Sequence, residues 1–284
     1  MNIVAITGGL GNQMFQFAFG LALESYGYPV KFDISKYEYY QVHNNYELDN
    51  IFDIDRDYAT VAERKKLGYL KFNRITDYLL RSPFGKKTVF CEPSDGFTDK
   101  VFSMDNTYFK GFWQNEAYFE PVSDKIRDVF RFPSPDRQEL KEIIEKISST
   151  KSVSIHIRRG DYLKHPLYSG LCGLDYYQNA YRYLTEKVGK DIHLFVFSND
   201  TQWVTENLKF PNMTFVDCNQ GKDSYRDMQL MSMCQHHIVA NSSFSWWGAW
   251  LNPNPDKVVI APERWVNSDK PLYREVVPKG WIKL

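Results

Sequence analysis

Three short stretches of the chain carry residue types and spacings that chemistry needs. In Ser154-Ile155-His156-Ile157-Arg158-Arg159-Gly160-Asp161-Tyr162, polar and apolar residues alternate up to the arginine pair. Side chains alternate across a strand, so Val153, Ile155 and Ile157 share one face and His156 and Arg158 the other. An arginine at the carboxyl end of a strand stands where open α/β sheets hold ligands. Its planar fork donates hydrogen bonds in pairs and keeps its charge, which suits a diphosphate. Arg159 has a structural reading, an ion pair with Asp161 that closes the turn.

The second stretch is Gly8-Gly9-Leu10-Gly11-Asn12-Gln13. Glycines after a strand let backbone approach a ligand closely, and the helix that follows offers N–H groups to an anion. A dinucleotide fingerprint counted from Gly9 and Gly11 would need a glycine where Met14 stands, and no Walker lysine follows. A plain tight turn fits the same residues. The third stretch runs from Val239 to Trp250. Its Asn241-Ser242-Ser243 turn puts hydroxyls at the positive end of a helix that begins near Phe244. Trp246 and Trp250, four apart, read as core, and Gly248 and Ala249 permit close helix packing.

These stretches need elements to hold them. The apolar run at 3–6, the glycine turn, a helix over 12–26 and a strand over 30–34 make a βαβ unit of a parallel sheet. Ser134-Pro135-Asp136 reads as a boundary, with Ser134 capping a helix whose first residue is proline. Leu140, Ile143, Ile144 and Ile147 then keep helical spacing. Beyond it, strands over 152–158, 193–197, 213–216, 237–240 and 258–261 alternate with helices over 175–188, 201–208, 224–234 and 244–251. That is a doubly wound parallel sheet. The division is therefore an N-terminal α/β domain over 1–135 and a Rossmann-like domain over 136–265, with a tail over 266–284 expected to pack back on the first.

The chain has 284 residues, enough for two modest domains, and its 35 basic and 35 acidic residues cancel. A nucleic-acid binder would show a basic excess, so no nucleic-acid partner is expected. Eight bases against two acids over 63–87 form a local basic patch, read as a solvated helix face or a surface for an anionic membrane. No run of about 18 apolar residues exists, and the first residues lack the basic start of a secretion signal. The expected setting is cytoplasmic, with peripheral association at the inner membrane face. The four cysteines (Cys91, Cys172, Cys218, Cys234) lack zinc-site spacing and read as reduced thiols. Aromatic residues reach 16 %, with 19 Tyr, 20 Phe and 7 Trp, most of them core and some able to serve as platforms for sugar rings. From residues alone the chain binds a nucleotide diphosphate that serves as a sugar donor.

Taken together, GGLGNQMFQ (8–16), HIRRGDY (156–162) and ANSSFSWWGAWL (240–251) resemble the signature of bacterial alpha-1,2-fucosyltransferases of glycosyltransferase family 11. The resemblance spans nearly the whole chain. It implies a GT-B-type α/β fold, two Rossmann-like domains with parallel sheets facing a central cleft. It implies GDP-beta-L-fucose as donor, a galactose-terminated glycan as acceptor, and inverting attack by the galactose 2-hydroxyl, as in O-antigen or capsule assembly. By position Arg158 meets the donor β-phosphate and His156 lies beside the nucleotide. Asn241, Ser242 and Ser243, with the helix start at Phe244, hold phosphate oxygens, and Gly11, Asn12 and Gln13 lie near the donor. No metal and no other cofactor is implied. Asp161 is the candidate base, since it follows the strand end and carboxylates do this work. The alternatives are another inverting fucosyltransferase with a different acceptor or linkage, and a carbohydrate- or nucleotide-binding module without turnover.

Overall fold

The computed structural model describes residues 1–39, 44–68 and 88–284, so most of the basic patch over 63–87 lies outside the described residues. The chain divides into two units. The first is Met1–Arg131 with Lys270–Glu275, and the second is Phe132–Asp269 with Val276–Leu284. The tail expected to return whole to the N-terminal half is thus divided. Val276–Leu284 stays with the second unit because its terminal strand extends that sheet and Trp281 packs on Trp246, with ring centroids 5.5 Å apart.

In the first unit, strands β1 (Asn2–Ala5), β2 (Val30–Asp33), β3 (Val89–Cys91) and β4 (Tyr108–Lys110) form a parallel sheet in the order β2-β1-β4-β3. Every residue of β1 is buried, as a parallel strand covered on both faces requires. Helix α1 (Leu10–Ser25) follows β1 and is buried over most of its surface, with Gln13 and Gln16 the polar insertions. It starts two residues earlier than its apolar pattern suggested, because Gly8 and Gly9 complete the turn. Much of the aromatic excess is spent here: Phe17 stacks on Phe32 at 4.6 Å and Phe19 on Trp113 at 4.2 Å.

In the second unit, β5 (Lys151–Ile157), β6 (Ile192–Ser198), β7 (Met213–Val216), β8 (His236–Ile238), β9 (Val259–Ala261) and β10 (Ile282–Lys283) form a parallel sheet in the order β10-β9-β8-β5-β6-β7. Its helices are α2 (Gln138–Ser149), α3 (Leu174–Val188), α4 (Thr201–Asn207), α5 (Tyr225–Met233) and α6 (Ser243–Leu251). The α/β class with parallel sheets, inferred from the alternating pattern, is the class observed. Val153, Ile155 and Ile157 share one core cluster with Tyr177, Ala180 and Leu184 of α3, so this face of β5 is the apolar one.

Ser134 does not cap α2. That helix begins at Gln138 after Arg137, without a side-chain cap. The preceding segment is tied elsewhere: the Pro133 carbonyl accepts from Arg226 Nη1 and from Gln229 Nε2, both at 2.9 Å. Trp246, Trp247 and Trp250 of α6 are buried core residues. Gly248 sits where a Cβ would approach the Met231 Cβ to 2.8 Å, so α6 packs closely on α5. Among the described residues no helix is long and apolar enough to cross a membrane.

Candidate functional site

The order of the second sheet places the site. The chain runs from β5 outward through β6 and β7, then returns to the other side of β5 with β8 and continues through β9. The crevice beyond β5 and β8 is therefore a topological switch point, where open parallel sheets bind ligands outside their carboxyl ends. The loop after β5 carries Arg158 to Tyr162, and the loop after β8 carries Asn241 to Ser243.

These two loops touch. The Tyr162 hydroxyl approaches the Ser242 side chain, and burial pushes that hydroxyl up to about 12 against the opposing charge of Arg158. The Phe244 ring lies 5.9 Å from that of His156. His156 is 7 % exposed, and its Nδ1 has no hydrogen-bond partner among the described residues. Burial first, and the Arg158 charge second, hold its pKa down at about 3, so the imidazole is neutral. A buried polar atom without a partner is costly, and a ligand hydrogen bond would relieve that cost.

Arg158 Nη2 lies 2.8 Å from Asp161 Oδ1, and its guanidinium sits 5.4 Å from the centre of the Tyr162 ring. The turn expected to pair Arg159 with Asp161 pairs Arg158 instead. Residues Gly160–Lys164 form a short 3₁₀ helix, which brings position i+3, rather than i+2, under the arginine. Arg159 serves structure through a different partner. Its Nε lies 3.1 Å from Asp200 Oδ2, and its guanidinium stacks 4.0 Å from the centre of the Trp203 ring. Asp200 also caps α4 by accepting the Trp203 N–H at 3.1 Å.

The third stretch splits in two. Asn241 is 2 % exposed; its amide donates to the Trp265 carbonyl at 3.2 Å and accepts from Cys172 Sγ at 3.5 Å. It holds the turn from within. Ser242 caps α6 by accepting the Phe244 N–H at 3.4 Å, and Ser243 is the first residue of that helix. Ser242, Ser243 and Phe244 therefore share one locus with His156, Arg158 and Asp161.

Gly11, Asn12 and Gln13 lie at the carboxyl edge of the first sheet. Gly8 has φ +86°, and a Cβ there would come within 2.7 Å of Asn12 Nδ2, so only glycine fits. Gln13 is fully buried: its Nε2 donates to the carbonyls of Gly8 (3.0 Å) and Asn45 (2.7 Å), and its Oε1 accepts from Glu47 N at 2.9 Å. The Glu47 carboxylate accepts from Asn44 Nδ2 at 3.0 Å and lies near the Leu10 backbone at the start of α1, and burial raises its pKa. The start of α1, read from the glycines as open to an anion, thus has a carboxylate of the chain itself close by. Tyr37, whose hydroxyl donates to the Gly8 carbonyl at 2.7 Å, Gln16, Glu47 and Tyr162 were not singled out by sequence reasoning. Only Tyr162 left a signal, as an aromatic next to the Gly160-Asp161 pair.

Fold and site define an α/β protein with a cation, a neutral imidazole and a helix start gathered at a switch point, a locus suited to an anionic nucleotide ligand. The chain belongs to Glycosyl transferase family 11, whose model matches residues 1–284. It is 36 % identical to an alpha-1,2-colitosyltransferase of Escherichia coli over 99 % of this chain and 98 % of that one. It is 30 % identical to the O-antigen biosynthesis glycosyltransferase WbnK of Escherichia coli over 98 % and 99 %. Similarity to galactoside alpha-(1,2)-fucosyltransferase 1 of Ateles belzebuth is lower, 23 % over 55 % of this chain and 46 % of that one. A mutant of Arabidopsis thaliana FUT1 solved with GDP superposes with a TM-score of 0.47 at 14 % identity, covering 98 % of this chain and 75 % of that one.

Proposed function

We propose that this glycosyltransferase moves L-fucose from GDP-beta-L-fucose to the 2-hydroxyl of a terminal galactose, with inversion and without a metal. The observation that carries the reading is the convergence of Arg158, neutral His156 and the Ser242–Phe244 helix start at one switch point. Arg158 binds the β-phosphate, Ser242 and Ser243 meet phosphate oxygens, and His156 lies beside the nucleotide. The family resemblance also assigns Gly11, Asn12 and Gln13 to donor binding, with Gln13 bracing the glycine turn within its own unit, and Asn241 supports Ser242 from behind. The acceptor oxygen attacks the anomeric carbon, the bond to the diphosphate breaks, and GDP leaves with the bonding electrons. Charge grows on the leaving group in the transition state, where a fixed cation is worth more than in the ground state. Asp161 takes the proton from the acceptor hydroxyl, and its present pairing with Arg158 is exchanged for the diphosphate when the donor binds.

A second donor is favoured by the 36 % identity to an alpha-1,2-colitosyltransferase. Colitose is L-fucose without its 3-hydroxyl. A site built to hydrogen-bond that hydroxyl rejects the deoxy sugar by about 10⁴–10⁵, whereas an apolar pocket excludes the extra hydroxyl by only about 10². Competing GDP-L-fucose against GDP-colitose on one galactoside decides between them. A strong preference for the fucosyl donor supports the proposal, and preference for the colitosyl donor replaces it with the second reading.

A further inference from the structure

The first sheet has a switch point of its own. The chain leaves β1 for β2 and later returns to the other side of β1 with β4. Ligands of open parallel sheets bind beyond the carboxyl ends at such a reversal. The flanking loops are the glycine turn after β1 and Gly111-Phe112-Trp113-Gln114-Asn115 after β4.

The second of these loops is strained and held in place. Trp113 is fully buried yet has φ +56°, a left-handed conformation that a bulky residue adopts only where its surroundings force it. Those surroundings are specific. The buried Glu92 carboxylate accepts the N–H of Phe112 at 2.7 Å and of Trp113 at 2.9 Å. Gln16 Nε2 donates to the Gly111 carbonyl at 2.9 Å, and Gln114 Nε2 donates to Asn12 Oδ1 at 2.6 Å. Asn115 Nδ2 donates to Glu275 Oε2 at 2.9 Å. Between these fixed neighbours Phe112 stands 48 % exposed. Gln114 Oε1 takes part in no hydrogen bond among the described residues. An exposed aromatic ring two residues from a free amide oxygen, on a loop fixed through its backbone, offers the chemistry that receives a sugar ring, its C–H face on the aromatic and a hydroxyl on the amide.

We infer that Phe112 is the platform for the acceptor sugar and that Gln114 receives one of its hydroxyls. This inference rests on the proposed glycosyl transfer and names the subsite that reading leaves open. The test is steady-state kinetics of the full chain with lactose as acceptor and whichever of GDP-L-fucose and GDP-colitose the wild type turns over, together with GDP binding by calorimetry. Phe112→Ala should raise the acceptor KM about tenfold, the size of one aromatic stacking contact. The donor KM, the GDP dissociation constant and the thermal midpoint should stay at their wild-type values, and Phe112→Tyr should restore acceptor binding. An unchanged acceptor KM in Phe112→Ala, or a donor KM raised by the same factor, overturns the platform and leaves the transferase reading intact. Absence of turnover by the wild type with either donor overturns both.

Discussion

The carboxylate of Asp161 lies 2.8 Å from the guanidinium of Arg158, so the cation proposed for the diphosphate is already oriented by an acid three residues on. Once the diphosphate has taken the place of that carboxylate, the cation already stands against the leaving group as its charge develops, which is how fixed electrostatics lower a barrier.

Arg158→Ala should lower turnover by roughly 10²–10³, by analogy with the loss of an oxyanion donor, while the protein stays folded. GDP release under saturating substrates, with a thermal melt as control, measures both quantities. Turnover near the wild-type rate would remove Arg158 from the chemistry.

Asp161→Asn separates the base from the orienting partner. As the base, the carboxylate must be ionised, so the wild type loses rate on the acid side and the asparagine variant is slow at every pH. A variant that keeps the rate and the shape of the pH profile would leave Asp161 only its pairing with Arg158.

Arg159→Ala is expected to act on stability rather than on chemistry. Its ion pair with Asp200 and its contact with Trp203 are partly exposed, and their loss should cost about 1 kcal/mol. Urea denaturation reads that cost. A kcat loss matching that of Arg158→Ala would put both arginines on the ligand.

Buried histidines make the unliganded protein acid-sensitive. The folded pKa of His156 is about 3, against about 6.5 in an unfolded chain. His237 is fully buried, with Nδ1 2.8 Å from Ser154 Oγ and Nε2 accepting from Asn252 Nδ2 at 2.7 Å, and burial holds its pKa well below the usual value. A folded pKa below the unfolded one means stability is complete above about pH 6.5 and is lost as pH falls below it, at about 1.4 kcal/mol per pH unit for each histidine. Urea midpoints at pH 7.5, 6 and 5 should fall in sequence, and His156→Gln should shallow the decline. Equal midpoints would show that neither imidazole resists protonation.

Most of the framework was legible because it rests on periodicity. Alternation over 152–158 gave β5 its apolar face and put His156 and Arg158 on the other, and the spacing of Trp246 and Trp250 marked them as core. What escaped depends on partners distant in sequence. Arg159 turns to Asp200, Asn241 turns inward to Trp265 and Cys172, and Pro133 is claimed by Arg226 and Gln229 before Ser134 can cap a helix. Glu47 and Glu92 are ordinary acids in the sequence. Folding alone sets Glu47 near the start of α1 and Glu92 at the N–H groups of Phe112 and Trp113. Phe112 gives no signal in one dimension, since its exposure depends on the strained backbone beside it.

Incubation of the purified chain with GDP-L-fucose and lactose, with and without EDTA, tests the proposed function most directly, with GDP release and the linkage of the product as readouts. The expected result is fucose joined to the galactose 2-hydroxyl at equal rates in both tubes. Neither GDP release nor binding of GDP-fucose, or a product formed only without EDTA, would contradict it.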